Sequence, residues 1–213
     1  MVVGKAVHSG IEHNFRQKIE SRCDLPMEEM LAAVTASFEG ERPDAEFDTD
    51  PGKEKDRAVT LARLYHEEVA PSIQPVAVEQ RAEIEFEGQP YTYLGFIDLI
   101  DEDGVIRDTK TTGRTPPENT ADNNLQLISY AMLYRTLTGQ EESGVALDYL
   151  VSTKTPKIAR FQTQVTQHDI ERLLRLIQMV DKGIREEIFF PNPNCWDCSK
   201  PGKRNFNKNM EVF

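Results

Sequence analysis

Acidic and basic side chains occur at regular spacing in two neighbouring apolar segments near the middle of the chain. The segment GFIDLI carries Asp98, and the segment VIRDTK carries Asp108 and Lys110 two residues apart. Because residues two apart in a β-strand point to the same face, Asp108 and Lys110 project together. The turn sequence DEDG joins the two segments and can bring Asp98 close to Asp108 across a hairpin.

Two carboxylates beside one lysine leave one negative charge without a partner. Asp98 shares a strand face with Leu94, Phe96 and Ile100, which we predict to be core, and an unpaired charge there is costly. Hard oxygen ligands with open water positions suit Mg²⁺ or Mn²⁺, which would resolve the imbalance. In the alternative interpretation, the first acid caps the turn and the second pairs with the lysine on an exposed sheet face. The spacing alone leaves both interpretations open.

The next helical segment adds two hydrogen-bonding side chains. Gln126 and Tyr130 are four residues apart and therefore lie on one helical face, shortly after the strand that carries Lys110. On their own they would indicate only a partly buried tyrosine with a neighbouring glutamine. The predicted buried side of this helix consists of Leu125, Ile128, Met132 and Leu133.

Length and charge limit the class of protein. The 213 residues suffice for one hydrophobic core, and we predict a single domain over residues 1–213. With 25 basic and 36 acidic residues the net charge is −11, which argues against a non-specific polyanion binder. It is compatible with a nucleic-acid enzyme whose acids gather at a metal site. No apolar run reaches membrane-spanning length and no signal peptide is evident, so a cytoplasmic protein with reduced cysteines is predicted.

Hydrophobic periodicity predicts the elements that position these residues. Residues 1–70 are predicted to be mostly helical, with an acidic loop at 39–55. Three antiparallel strands are predicted over 76–112, then a helix over 122–139, two further strands and a helix. The tail, about 189–213, shows no period. This order predicts an α/β (α+β) fold with a mixed central β-sheet flanked by helices.

These segments resemble the PD-(D/E)XK nuclease superfamily, and within it the RecB-type exonuclease branch, which includes nuclease domains of bacterial recombination helicases and CRISPR-associated and phage exonucleases. In that branch a G-x-x-x-H helix precedes an acid on a strand, a D/E-x-K on the next strand and a Q-x-x-x-Y helix. The sequence supplies GKAVH with His8, then GFID, DTK and QLISY in this order. The match runs from residue 4 to about 135.

The resemblance implies a restriction-endonuclease-like core and a catalytic Mg²⁺ or Mn²⁺ ion. It implies that Asp98 and Asp108 ligate this metal, with the imidazole of His8 and the backbone carbonyl of Thr109 as further ligands. Glu79, on the preceding strand, would help to position a metal-bound water or would be one of several surface acids there.

The resemblance also implies a metal-dependent DNA exonuclease that hydrolyses phosphodiester bonds in recombination, repair or the processing of phage and mobile-element DNA. Lys110 would orient or deprotonate the attacking water. Gln126 and Tyr130 would hold the substrate backbone or steady Lys110. The expected partners are linear ends of single- or double-stranded DNA, with a homo-oligomer or a recombination protein as a further partner, in a bacterial or phage-infected cell.

Other interpretations remain at this point. The fold could serve as a non-catalytic DNA-end-binding module of a larger complex, or the chain could be an endonuclease or act on RNA. Cys195 and Cys198 resemble half of an iron–sulfur ligand set, but a cluster needs four ligands and the chain has three cysteines, including the distant Cys23. We therefore predict that no iron–sulfur cluster is bound.

Overall fold

The structure is a computed structural model that describes residues 2–88 and 91–188. Within these ranges, no helix combines the length and the apolar composition needed to cross a bilayer. The chain divides into two units, Met1–Leu173 and Leu174–Phe213, and every predicted site residue lies in the first. Cys195 and Cys198 lie outside the described residues, as does the predicted irregular tail. The cytoplasmic location and the single domain stay predictions.

Three helices form the N-terminal part of the chain, as predicted: α1 (Val2–Ser21), α2 (Met27–Glu41) and α3 (Pro51–Glu68). Their apolar faces bury one another, with Phe15 and Phe38 1% exposed and Tyr65 fully buried. The same core extends onto the sheet through Val78, Leu99 and Leu150. The burial of these apolar side chains is the main force that holds the three helices against the sheet.

The acidic loop between α2 and α3 is shorter than the predicted loop at 39–55. The helix α3 already begins at Pro51, because Asp50 caps it: the Asp50 side chain accepts a hydrogen bond from the backbone N–H of Lys53 at 3.0 Å. An aspartate at the cap followed by proline at the first helical position is a strong helix start. The prediction of a loop as far as residue 55 was wrong because Asp50 and Pro51 start the helix before that residue.

The sheet contains five strands in the order β1-β2-β3-β4-β5, namely β1 (Pro75–Glu85), β2 (Thr92–Asp101), β3 (Val105–Thr112), β4 (Gly144–Val151) and β5 (Lys157–Thr163). The first three strands form the predicted antiparallel meander, whereas β3 and β4 run parallel. A parallel pair needs a crossover connection, and α4 (Leu125–Thr138) provides it. With α5 (Gln167–Arg185) the elements confirm the predicted α/β fold with a mixed sheet.

The strands β2 and β3 separate soon after their turn. They pair only at Leu99↔Arg107 and Ile100↔Ile106, whereas β3 pairs with β4 along its whole length. One more step in the same register would set Asp98 opposite Asp108. The two acids therefore lie where the strands part, and the edge of β3 that faces β2 is unpaired from this point among the described residues.

The prediction that Leu94 and Phe96 belong to the core is wrong, because they are 49% and 48% exposed. Their neighbours on β2 face α4 instead. The hydroxyl of Tyr93 hydrogen-bonds Ser129, and a Cβ on Gly95 would meet the side chain of Leu133. Since side chains alternate along a strand, Leu94 and Phe96 point away from α4.

Candidate active site

Asp98, the first acid of the candidate site, lies opposite Glu79, which has an unusual backbone conformation. The pairs Val78↔Leu99 and Gln80↔Ile97 flank Glu79 on β1, so the register places Glu79 opposite Asp98. The backbone of Glu79 has a φ of 50°, in the left-handed region that glutamate rarely adopts. Such a conformation costs on the order of 1–3 kcal/mol and tends to occur at functional sites.

His8 projects from α1 toward these two acids. Its Nε2 lies 2.5 Å from Glu79 Oε1, and its Nδ1 lies 3.7 Å from Asp98 Oδ2. Burial lowers the pKa of His8, but the hydrogen bond to Glu79 and the nearby negative charges outweigh burial, so the pKa lies above its usual value. The three residues can each offer one ligand atom, and these atoms lie within 4.8 Å of one another.

The second acid and the lysine lie together on β3, as predicted. Asp108 is fully buried, and the Nζ of Lys110 lies 2.9 Å from each of its carboxylate oxygens. Lys110 donates a well-aligned hydrogen bond to Oδ1, and Oδ2 has no such donor among the described residues. Burial, and then the charge of Asp98, raise the pKa of Asp108 to about 7.

The helix α4 connects to the site through a chain of hydrogen bonds. Gln126 Nε2 donates to Tyr130 Oη at 2.8 Å, and Tyr130 Oη donates to Asp98 Oδ1 at 2.7 Å. Burial and the Asp98 charge raise the pKa of Tyr130, so its hydroxyl stays protonated and donates. The side chain of Asn124 caps this helix. Leu125, the residue after the cap, is 47% exposed, so its predicted burial was wrong.

Tyr130 has a partner that the resemblance did not name. Its hydroxyl donates to Asp98, and the implied contact with the substrate or with Lys110 stays a prediction. Glu79 was only a minor candidate, yet it lies closer to His8 than Asp98 does. The sequence holds no signal for either contact, because both depend on the left-handed residue in β1 and on the approach of α4 to β2.

The donor set suits a hard divalent cation. Carboxylate oxygens with one imidazole fit Mg²⁺ or Mn²⁺, and the buried Oδ2 of Asp108 is an acceptor without an aligned donor among the described side chains. A cation would also neutralise the charges that raise the pKa of His8 and of Asp108. Thr109 lines the same small pocket as His8 and Asp98, and its role as a ligand stays a prediction.

Fold and site thus define a nuclease-like arrangement, with two acids and a lysine where two strands part. A model of the PD-(D/E)XK nuclease superfamily matches residues 1–200. The chain therefore belongs to the PD-(D/E)XK nuclease superfamily, which confirms the resemblance seen in the sequence. Nucleases of this superfamily use divalent metals.

Among solved structures, the chain is similar to a protein from Eubacterium rectale that is named as a candidate exonuclease. The TM-score is 0.52 at 12% identity, over 97% of this chain and 77% of the other, which supports the fold. The chain also matches the structure of SSO0001 with a TM-score of 0.38 at 13% identity, over 83% of this chain and 73% of that one. No curated protein matches the sequence.

Proposed function

We propose that this nuclease is a Mg²⁺- or Mn²⁺-dependent DNA exonuclease in which His8, Glu79, Asp98 and Asp108 hold the metal. The observation that carries the proposal is the position of Lys110 beside Asp108, at the point where β2 and β3 separate. A bound divalent cation supplies a water of lowered pKa and neutralises charge on the scissile phosphate. A purely structural or DNA-binding module has no evident need for a lysine beside two acids.

The protein groups have distinct proposed roles around that cation. Lys110 is 37% exposed and can reach both Asp108 and an incoming water or phosphate, so it orients the nucleophile and stabilises developing negative charge. Tyr130 holds one oxygen of Asp98 by hydrogen bonding and leaves the other for the metal. Gln126 orients the Tyr130 hydroxyl.

The proposal also includes a preference for DNA ends and a role in recombination, repair or phage DNA processing. They rest on the similarity of the GKAVH, GFID, DTK and QLISY motifs to the RecB-type branch. A DNA substrate is what the superfamily implies.

The decisive assay uses end-labelled linear single- and double-stranded DNA and a covalently closed circle, with Mn²⁺, Mg²⁺ or EDTA. We expect metal-dependent loss of the linear substrates, survival of the circle, and a fall in rate of about 100-fold or more in Lys110→Ala. Cleavage of the circle would identify an endonuclease. A folded protein that binds DNA ends without cutting them would be a binding module, and the enzymatic proposal would be wrong.

A further inference from the structure

A groove of about 670 Å³ opens beside the candidate metal centre. Helix α1, helix α3 and the end of β3 contribute its walls. We call it the α1–α3 groove and define it by six of its lining residues: Lys5, His8, Arg57, Thr109, Lys110 and Thr111. Since His8, Thr109 and Lys110 also belong to the candidate active site, the groove and the metal centre are continuous.

The acids of this groove already have partners. Glu12 accepts a hydrogen bond from Arg16 Nε at 2.7 Å. Glu54 accepts from Thr49 Oγ1 at 2.6 Å and from Arg57 Nη1 at 3.1 Å. Their negative charges are therefore partly compensated, which lowers the repulsion that an anionic ligand would meet.

Of the lysine and arginine side chains that line the groove, Arg57 has the most N–H donors without an acceptor among the described residues. Lys5 pairs with Glu41 at 2.8 Å, and Lys110 pairs with Asp108. Arg57 has five N–H donors, of which one contacts Glu54, and its buried Nε has no acceptor within the described parts of the chain. Its side chain is 37% exposed, so its terminal N–H donors, unlike the buried Nε, can reach a ligand in the groove.

The other lining residues suit the sugar–phosphate backbone of a nucleic acid better than its bases. The end of β3, which pairs with β4 but not with β2, contributes Thr109 and Thr111 to the lining. No phenylalanine, tyrosine or tryptophan lines the groove among the described residues, so bases would lack a large stacking surface of the kind found in single-strand binding proteins.

We propose that the α1–α3 groove binds the sugar–phosphate backbone of the scissile strand beside the metal centre, and that Arg57 contacts the phosphate next to the one that is cut. The inference rests on the proposed function. A guanidinium binds phosphate through two parallel hydrogen bonds. Contacts to phosphate carry no sequence information, so the groove positions the strand without selecting its sequence.

Salt dependence tests this contact directly. Binding of single-stranded oligonucleotides is measured in Ca²⁺ over a range of salt concentrations, for the wild type, Arg57→Gln and Arg63→Gln. Arg63 lies on the same helix but is exposed and outside the groove lining. We expect Arg57→Gln to weaken binding roughly tenfold for every sequence and to reduce the slope of log K against log salt by about 0.7. Arg63→Gln should match the wild type.

A second measurement locates the phosphate. A neutral methylphosphonate at the linkage next to the scissile one should slow cleavage by the wild type and should not slow Arg57→Gln any further. An unchanged salt slope in Arg57→Gln, or equal effects of the two arginine variants, would overturn the groove proposal. So would a methylphosphonate effect that persists undiminished in Arg57→Gln.

The two proposals fail in different ways. If the wild type binds DNA but cuts neither linear nor circular substrates, the proposed nuclease function fails, while the salt slopes still decide the role of Arg57. If the wild type cuts DNA and Arg57→Gln behaves like Arg63→Gln, only the groove proposal is wrong. A retained Mn²⁺-induced rise in melting temperature in Arg57→Gln shows that its loss of DNA binding does not come from a damaged metal centre.

Discussion

The carboxylate of Glu79 lies 2.5 Å from the imidazole of His8, although 71 positions separate them in the chain. Glu79 comes from β1 and His8 from α1, so this contact ties the helical layer to the sheet at the candidate metal centre. The left-handed backbone at Glu79, with a φ of 50°, lies at the same point. A left-handed backbone at a residue other than glycine favours a functional role for this carboxylate, which the first prediction tests.

The first prediction concerns Glu79 as a metal ligand. We expect Glu79→Gln to weaken Mn²⁺ binding by about tenfold or more, because the amide removes the negative charge while keeping the shape. Isothermal titration calorimetry measures the affinity. Thermal melting provides a second readout, since a cation at 100 times its dissociation constant stabilises the folded state by about 2.7 kcal/mol.

Glu83→Gln is the matched control for this change. Glu83 lies on the same strand, with its side chain 46% exposed and paired with Arg81. Its substitution by glutamine should leave the affinity for Mn²⁺ unchanged. Wild-type affinity in Glu79→Gln would show that Glu79 only orients His8.

The second prediction concerns the hydroxyl of Tyr130. In Tyr130→Phe the ring is kept, but the 2.7 Å hydrogen bond to Asp98 is lost. Partners that orient metal ligands typically contribute 10- to 100-fold to affinity or activity, and we expect a loss of about that size in Mn²⁺-dependent cleavage. Tyr93→Phe is the control, because Tyr93 bonds Ser129 instead of an acid of the site. Equal activities of the two variants would contradict a role for Tyr130.

The third prediction concerns close packing between α1 and α2. A Cβ on Gly10 would clash with the side chain of Val34 and lie 3.3 Å from the carbonyl oxygen of Met30. Gly10→Ala should therefore destabilise the fold by about 1–3 kcal/mol, as measured by urea unfolding.

Gly40 offers the matched control on α2. A Cβ there meets nothing within 4 Å, so Gly40→Ala should stabilise the fold by about 0.4–1 kcal/mol through the entropy of the unfolded chain. Destabilisation of similar size in both variants would mean that the effect at Gly10 does not come from packing.

The fourth prediction concerns the ion pair that anchors the end of α4. Arg135 donates to both carboxylate oxygens of Glu142 at 2.7 and 2.8 Å, and to the carbonyl of Val165 at 2.7 Å. The Glu142 side chain is fully buried. Arg135→Ala would leave that charge without its main partner, and we expect a loss of about 3–5 kcal/mol in the free energy of unfolding.

Arg22→Ala is the comparison for this ion pair. Arg22 and its partner Glu102 are 61% and 47% exposed, and surface pairs of this kind contribute at most about 1 kcal/mol. Similar losses in the two variants would contradict the assignment of Arg135 as an anchor.

Much of the fold was predictable because local patterns determine it. The period-two pattern and the DEDG turn led to the correct meander, and spacing alone placed Asp108 beside Lys110. Alternation along β2 accounts for the exposed Leu94 and Phe96 beside the α4-facing Tyr93 and Gly95. It does not hold at the site, where Tyr130 of α4 reaches Asp98. It could not reveal which face α4 covers, and so the exposure of Phe96 was missed.

The candidate site was harder to predict from the sequence than the fold. The resemblance predicted that His8 and Asp98 belong to one site, and in the structure the two side chains lie near one another. The closeness of Glu79 to His8 was not predictable, because a glutamate among several acids on a strand gives no sign of a left-handed backbone. The bond from Tyr130 to Asp98 depends on how α4 crosses the sheet, which no local pattern encodes.

The pairing of β3 has a consequence for the order in which the protein becomes active. The strand that carries Asp108 and Lys110 has two paired positions with β2, which is complete earlier in the chain, and is paired over its whole length with β4, which follows α4. During synthesis Asp108 and Lys110 therefore exist before β4, the strand that pairs with β3 along its whole length. We expect a nascent chain that ends before residue 144 to lack nuclease activity, which delays cutting until the crossover has closed.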